Sequence, residues 1–581
     1  MRIGKVQKLT PMARAFLQPV SAVHRQYEAL RAYFVEGLPS KAAAERFSYT
    51  PASFRVLCCD FKKNPQRAFF VGSRRTPRIR QADRIRAKIV ALRKQNCSVY
   101  DISLALGRED IQRSPAAVGN VLHAEGFARL PRRCGDERSG GPLPEVASVA
   151  DCRALDLSPR DFRTHFGGLF IFLPYLASLP FDQVMDEAGL PGTKMIPAGH
   201  AMRALLALKL FARRRHSHVM SDVFDDGLAL FAGLNVTPKR SFLTEYSCRV
   251  DPRCYAGLMR RWFDAMSGLG LRRGSSFDCD FHTIPFHGED ALMEKHYVSK
   301  RSRRQKGVLA FLAQDADQRV FCYANCDLRK DQQADEIMQF ISFWKQRTGH
   351  FPEELVFDSK LTTYANLDKI NKLGIRFITL RRRSREMVHA INQKPLSAWR
   401  RIELNAVGRA YRTPRILDHR VALPGYSGDL RQLTITDLGH EEPTLLVTNQ
   451  LRRSAARLVE RYAQRMLIEN GIQDGVDFFH MDALSSAVAL KVNLDLQLTL
   501  MASSLYRILG TQIGHGYESA KSQHIFHDFV EASASVSLSP GRIDVHLQRR
   551  AHDPQLIAAN LQDRTPRVPW LGGRSVHLHF G

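Results

Sequence analysis

Two stretches decide how this chain folds: SSFDCDFHTI at residues 275–284 and ELVFDSKLTTYANLDKINKLGIRFITL at 354–380. In the first, Phe277, Cys279 and Phe281 alternate with Asp278 and Asp280. A period of two is the mark of a strand, with the apolar set on one face and both carboxylates on the other. Residues 306–314 (KGVLAFLAQ) read as a second strand, joined by the turn DADQ (315–318) to a third, RVFCYANC (319–326). A helix over 331–347 follows, carrying Ile337, Phe340, Ile341 and Trp344 on one side. ELVFDS (354–359) is a short buried strand ending in Asp358. A helix over 361–373 stops at Gly374, and IRFITL (375–380) is the fifth strand.

The order is three strands, helix, strand, helix, strand. The first three can make an antiparallel meander, and the later ones, joined by helices, lie parallel. That is the order of an RNase H-like sheet, in which an acid on the first strand and one at the end of the fourth lie close together. Asp280 and Asp358 occupy those places, with Asp278 as an alternative first acid on the same face.

The chain is 581 residues long, so several domains are expected. The N-terminal part reads as two helix-turn-helix units, at 1–75 and 80–128. In the first, Gly37 stops one helix, Ser40 caps a short second, and Thr50-Pro51 caps and starts a third bearing Arg55, Lys62 and Lys63. Such a basic helix can reach bases or phosphates. In the second, Ser98 with Asp101 forms a capping box and Ser114-Pro115 starts the last helix. A linker (129–149) and a helical connector (150–272) follow. The RNase H-like catalytic core takes 273–384 and 455–510, interrupted by a β-rich insertion at 385–454. The role of 511–581 is not legible. The fold class is therefore multidomain α+β.

The composition agrees with a nucleic-acid partner. Eighty-five Lys and Arg against 58 Asp and Glu give a net charge of +27. Residues 1–140 hold 27 basic and 11 acidic side chains, so a quarter of the chain carries more than half of the excess. No apolar run approaches the roughly 18–20 residues of a membrane helix. With no export pattern, the ten cysteines read as reduced thiols and the protein as cytoplasmic and nucleoid-associated, with no membrane partner.

One helix adds the last element. In YAQRMLIE, Tyr462, Arg465 and Glu469 are spaced i, i+3, i+7, so a single helix face presents all three. This pattern, with DFHTIP and VFDSKLTTYANLDKINKLGIRFITL, resembles the insertion-sequence DDE transposases of the Tyr-Arg-Glu-Lys signature over about residues 275–510. The resemblance implies an enzyme in which Asp280, Asp358 and Glu469 hold two Mg²⁺ ions, with Mn²⁺ as a possible substitute. It implies cleavage at the terminal inverted repeats of a mobile element and transfer of the freed 3′-hydroxyl to target DNA by a homodimer. Carboxylates suit that chemistry, because hard divalent ions activate the attacking oxygen and stabilise the leaving one. Arg465 offers a bidentate phosphate contact with Tyr462 beside it. The basic runs RSRRQK (Arg301, Arg303, Arg304, Lys306) and RRRSR (Arg381, Arg382, Arg383 and onward) become DNA clamps next to such a site. The place of the signature lysine is Val476, with Arg457, Arg461 and Lys491 as substitutes. Two other readings stand beside the transposase: a non-catalytic, decayed helix-turn-helix DNA-binding protein or regulator, and a stand-alone RNase H-like nuclease.

Overall fold

A computed structural model describes residues 16, 19, 21–69, 77–95, 97–127, 149–214, 216–285, 295–298, 303–326, 328, 332–405, 412–439, 442–482 and 489–581. The chain forms two compact units, Met1–Leu143 and Pro144–Gly581. The expected linker at 129–149 and Arg301 lie almost wholly or wholly outside the described residues, as do the side chains of Arg303, Arg304 and Lys491.

The first unit holds two triplets of helices, each with its own small core. Helices α1 (Ala22–Phe34), α2 (Ser40–Arg46) and α3 (Pro51–Lys63) close around Leu30, Ala43, Ala44, Phe47 and Phe54. The Thr50 hydroxyl accepts the Ser53 amide at 3.2 Å, with Pro51 in the first helical position where its missing N–H is not needed. Such a cap contributes about 1 kcal/mol. The expected cap at Ser40 falls one residue earlier: Pro39 holds the N-cap position, makes no side-chain cap bond, and Ser40 begins the helix. Helices α4 (Pro77–Lys94), α5 (Val99–Gly107) and α6 (Pro115–Ala124) pack Ile89, Ile102, Leu106, Val118 and Leu122 together. Ser98 and Asp101 form the reciprocal capping box expected of that pair, and Ser114 accepts the Ala117 amide.

The second unit begins with β1 (Arg160–Thr164) and a mostly helical segment that includes α7 (Ala198–Leu210) and α8 (Cys254–Ser267). The central sheet follows: β2 (Ser276–Pro285), β3 (Lys295–Val298), β4 (Arg303–Asp315), β5 (Phe321–Asn325), α9 (Glu336–Thr348), β6 (Glu354–Phe357), α10 (Tyr364–Lys372) and β7 (Arg376–Leu380). Then come α11 (Arg385–Asn392) and strands β8 (Arg400–Arg401), β9 (Arg415–Val421), β10 (Leu430–Thr436) and β11 (Thr444–Thr448). Helices α12 (Ala455–Gln464), α13 (Met466–Asp477) and α14 (Ala489–Ile513) lead to β12 (Ala534–Ser539), β13 (Arg542–Leu547), β14 (Arg567–Val568) and β15 (Arg574–His579).

In the central sheet β5 pairs with β4 and β4 with β2, both antiparallel, while β2, β6 and β7 run parallel. The order β5-β4-β2-β6-β7 is the RNase H-like arrangement expected from the element order. The β-rich segment does not stand beside this sheet as a separate body. It continues the sheet, because β11 pairs antiparallel with β7 and is followed by β10, β9 and β8. Helix α14 backs the layer: Gln497 Nε2 donates to the Ala324 carbonyl of β5 at 3.0 Å. The connecting helices grip α14 in turn. Lys209 of α7 donates to Asp495 at 2.8 Å, and Trp262 of α8 donates to Ser504 at 3.0 Å.

Sequence periodicity missed β1, which joins a second sheet of order β1-β12-β13-β15-β14. Its five residues include a single large apolar side chain, Phe162, and its partners lie at 534–538. The chain then passes so close to the C-terminal segment that a Cβ on Gly168 would sit 1.8 Å from the Val530 carbonyl oxygen. Only glycine fits there. Among the described residues no single helix is long and apolar enough to cross a membrane, and every cysteine is a free thiol.

Candidate active site

Strand pairing brings the first two acids together. Cys279 of β2 is opposite Phe357 of β6 in a parallel ladder, so the next residues, Asp280 and Asp358, stand side by side where the strands end their pairing. Neighbouring strands are about 4.8 Å apart. The Asp280 carboxylate accepts its neighbour Phe281's amide at 2.8 Å, and Asp358 accepts the Ser359 amide at 2.6 Å. Burial raises the Asp280 pKa above the ordinary aspartate value, and the charge of Asp358 pushes it the same way, against the pull of Arg465.

Helices α12 and α13 cross this strand with a matching spacing. Two strand residues advance about 6.6 Å, and one helical turn from i to i+4 advances about 6 Å. Asp278 and Asp280 therefore meet Arg461 and Arg465 as two rungs. In the inner rung the Arg461 guanidinium bonds the buried Asp278 at 2.7 Å and Glu354 at 2.9 Å, and the half-buried Ser276 at 2.9 Å. Gln450 and Arg453 complete the cage around Glu354 at 2.9 and 2.6 Å. In the outer rung Arg465 Nη1 lies 3.0 Å from Asp280, and Nη2 lies 3.9 Å from Glu469, whose side chain is 56% exposed. The guanidinium sits 5.5 Å over the Tyr462 ring. Burial works against the charge on Arg465, but Tyr462, Asp280 and Asp358 together outweigh it and hold its pKa above the usual value. Its Nε is buried with no hydrogen-bond partner.

The outer rung thus gathers Asp280, Asp358, Tyr462, Arg465 and Glu469 around one guanidinium. The single helix expected to carry Tyr462, Arg465 and Glu469 instead breaks at Arg465. Amide bonds of the i→i+3 kind, Arg465 to Tyr462 and Ile468 to Arg465, tighten the chain there. Asp278, the alternative first acid, is committed to Arg461. Arg461 is in turn unavailable as a substitute for the signature lysine, since it is buried on two carboxylates. Val476 explains why no lysine stands at its position: it is buried in the core, where an ammonium would lose its hydration. Arg457 is exposed.

Beyond Asp358 opens a cavity of about 660 Å³, lined by Lys360, Arg381, Arg382, Arg383 and Arg385 with the acids Asp358 and Glu442. Arg381 donates to Gln432 at 2.9 Å, and Arg383 pairs with Glu442 at 3.2 Å. Arg385 is the last residue of the expected run RRRSR; Lys360 adds to it, and its nearness in sequence to Asp358 was the signal for it. Lys306 lies near the start of β4. Arg55, Lys62 and Lys63 lie exposed on α3 of the first unit.

Magnesium and manganese take hard oxygen ligands; of the three expected carboxylates Asp358 lines the cationic cavity, while Asp280 and Glu469 flank Arg465. The acids are spread around Arg465: among the described residues, the one set of His, Cys, Asp and Glu ligand atoms lying within 4.8 Å of one another is elsewhere.

The fold is thus a mixed α/β, RNase H-like arrangement with two acids at adjacent strand ends. No protein-family model matches the chain, and no curated protein matches it. Among solved structures the chain is similar to piggyBac transposase in a cryo-EM structure of its synaptic complex with hairpin DNA. The TM-score is 0.33 at 10% sequence identity, covering 66% of this chain and 83% of that one.

Proposed function

We propose that this chain is a DNA transposase that cuts phosphodiester bonds at the ends of a mobile element and joins the 3′-hydroxyl to target DNA. The observation that supports this reading is the outer rung: Asp280 and Asp358 side by side on parallel strands, with the Arg465–Glu469 helix laid across them. In this reading Asp280, Asp358 and Glu469 hold two Mg²⁺ ions, replaceable by Mn²⁺. Bound there, the ions supply Lewis-acid activation of the attacking oxygen and neutralise the leaving one.

The protein's own side chains do the rest. Arg465 turns from Asp280 to a phosphate beside the cut, using the Nε donor that has no partner in the fold, and Tyr462 keeps the guanidinium plane fixed. Lys360 and the arginines at 381, 382, 383 and 385 hold the strand backbone leading away from Asp358. The run at 301, 303, 304 and 306 adds phosphate contacts, and Arg55, Lys62 and Lys63 bind the element end. Two ends must be held at once, so the working form on DNA is a homodimer.

Strand cleavage of a duplex carrying an element end, with Mg²⁺ present, tests the reading. Asp358→Asn and Glu469→Gln abolish cutting while duplex binding persists. Cutting at the parental rate by both variants rejects the metal assignment and leaves a DNA-binding protein. Removing residues 1–140 weakens end binding and flattens its dependence on salt; an unchanged salt slope removes that region from the interface.

A further inference from the structure

The second sheet carries a different constellation. Strands β13 and β15 run parallel, with Asp544 opposite His577 and His546 opposite His579. Alternation sends Ile543, Val545, Val576 and Leu578 into the core. The intervening Asp544, His546, His577 and His579 therefore share the other face. The rings of His546 and His579 stack with centroids 4.3 Å apart and planes 12° from parallel. His579 Nε2 lies 2.7 Å from Asp544 Oδ1. One ligand atom from each of Asp544, His546 and His579 lies within 4.8 Å of the other two. Arg542 holds the same carboxylate, Nε to Oδ2 at 2.7 Å and Nη2 to Oδ1, the oxygen that also meets His579, at 2.5 Å. The proposed phosphodiester site does not use these groups.

We propose that Asp544, His546 and His579 form a binding site for a divalent transition ion of the zinc class. The donor set decides the class. Two imidazole nitrogens and one carboxylate oxygen suit zinc, cobalt or nickel, whereas magnesium prefers oxygen alone. The spacing is close to what ligation needs. Donors on a tetrahedral ion stand about 3.3 Å apart, so the Asp544–His579 pair opens by a few tenths of an ångström as the ion replaces the hydrogen they share. The stacked rings need a modest rotation for their nitrogens to converge. Arg542 fixes the carboxylate's orientation as an outer partner, the arrangement common around ligating groups. His546 is exposed, which leaves the fourth position open to solvent. Because the ligands come from two strands, the ion would rivet β13 to β15.

Full-length, untagged protein stripped by a chelator is titrated with cobalt(II) alone, read by visible absorption, and with zinc(II) alone, read by thermal unfolding. One equivalent of cobalt binds with a tetrahedral nitrogen–oxygen spectrum, and zinc raises the unfolding midpoint. His546→Gln and His579→Gln each weaken binding by about tenfold or more and lose the zinc-dependent shift, while Glu469→Gln leaves both intact. His546, being exposed, is the variant safe for folding. Unchanged affinity in both histidine variants, a thiolate charge-transfer band, or loss of binding in Glu469→Gln overturns the site. This result is independent of whether the protein cuts DNA.

Discussion

The two rungs between β2 and the α12–α13 pair use the same chemistry to opposite ends. Asp278–Arg461 is sealed: both side chains are under a tenth exposed, and Glu354, Ser276, Gln450 and Arg453 satisfy the remaining donors and acceptors. Asp280–Arg465 has the same bond length class but borders solvent through Glu469 and a cationic cavity through Asp358, and it keeps one donor unmatched. The lesson is that an ion pair's neighbours decide its role. A saturated network fixes the helix on the strand, and an unsaturated one beside it keeps a donor that a new partner can take.

The largest effect that can break this comparison is on chemistry. If the proposed function holds, Asp280→Asn, Asp358→Asn or Glu469→Gln lowers the cleavage rate by about a thousandfold or more, since several kcal/mol of transition-state stabilisation would come from the ions these acids are proposed to hold. Their thermal unfolding changes little. Next, Arg461→Ala leaves Asp278 buried without its cation and Glu354 with Arg453 alone, and costs about 3–5 kcal/mol of stability, read as a drop in denaturation midpoint. If Asp278→Asn abolished cutting without loss of stability, the division of labour would be reversed. A smaller effect attends Arg465→Ala, which costs about 1–2 kcal/mol in stability because Glu469 remains hydrated, yet slows cleavage about ten- to a hundredfold through the lost phosphate contact.

The smallest effect is on pH. Burial raises the Asp280 carboxyl and Arg465 opposes it, so the group takes its proton at higher pH than an ordinary aspartate. Cleavage is accordingly lost early on acidification. In Arg465→Ala burial is unopposed and the acidic limb of the rate profile moves to still higher pH. The sign for stability is the reverse of a salt-bridged surface acid. The folded state keeps a proton that the unfolded chain has released, so this group's contribution falls as pH rises between the two pKa values. A profile of Arg465→Ala that superimposes on the parent removes Arg465 from contact with Asp280.

Much of this was legible in the residues. Alternation at 277–281 and the strand–helix–strand order after it suffice to set out the central sheet and to bring Asp280 near Asp358. Alternation could not choose between Asp278 and Asp280, because a period of two puts both on one face. The choice depends on which arginine of a distant helix each meets: Arg461 for Asp278, Arg465 for Asp280. β1 was illegible for a similar reason: Arg160–Thr164 has too little apolar character to announce a strand, and its stability comes from partners near residue 536. The Asp-x-His and His-x-His pairs at 544–546 and 577–579 were visible as letters. Only the parallel register of their strands makes them a cluster.

The pairing of β1 with β12 has a consequence for synthesis. As the polypeptide leaves the ribosome, residues 160–164 emerge with both edges bare, and their partner at 534–538 comes hundreds of residues later. The large unit therefore finishes folding only after residues 534–538 have been made. Termination anywhere before β12 yields a nascent chain with an open strand edge, a substrate for chaperones and proteases rather than a shortened folded protein.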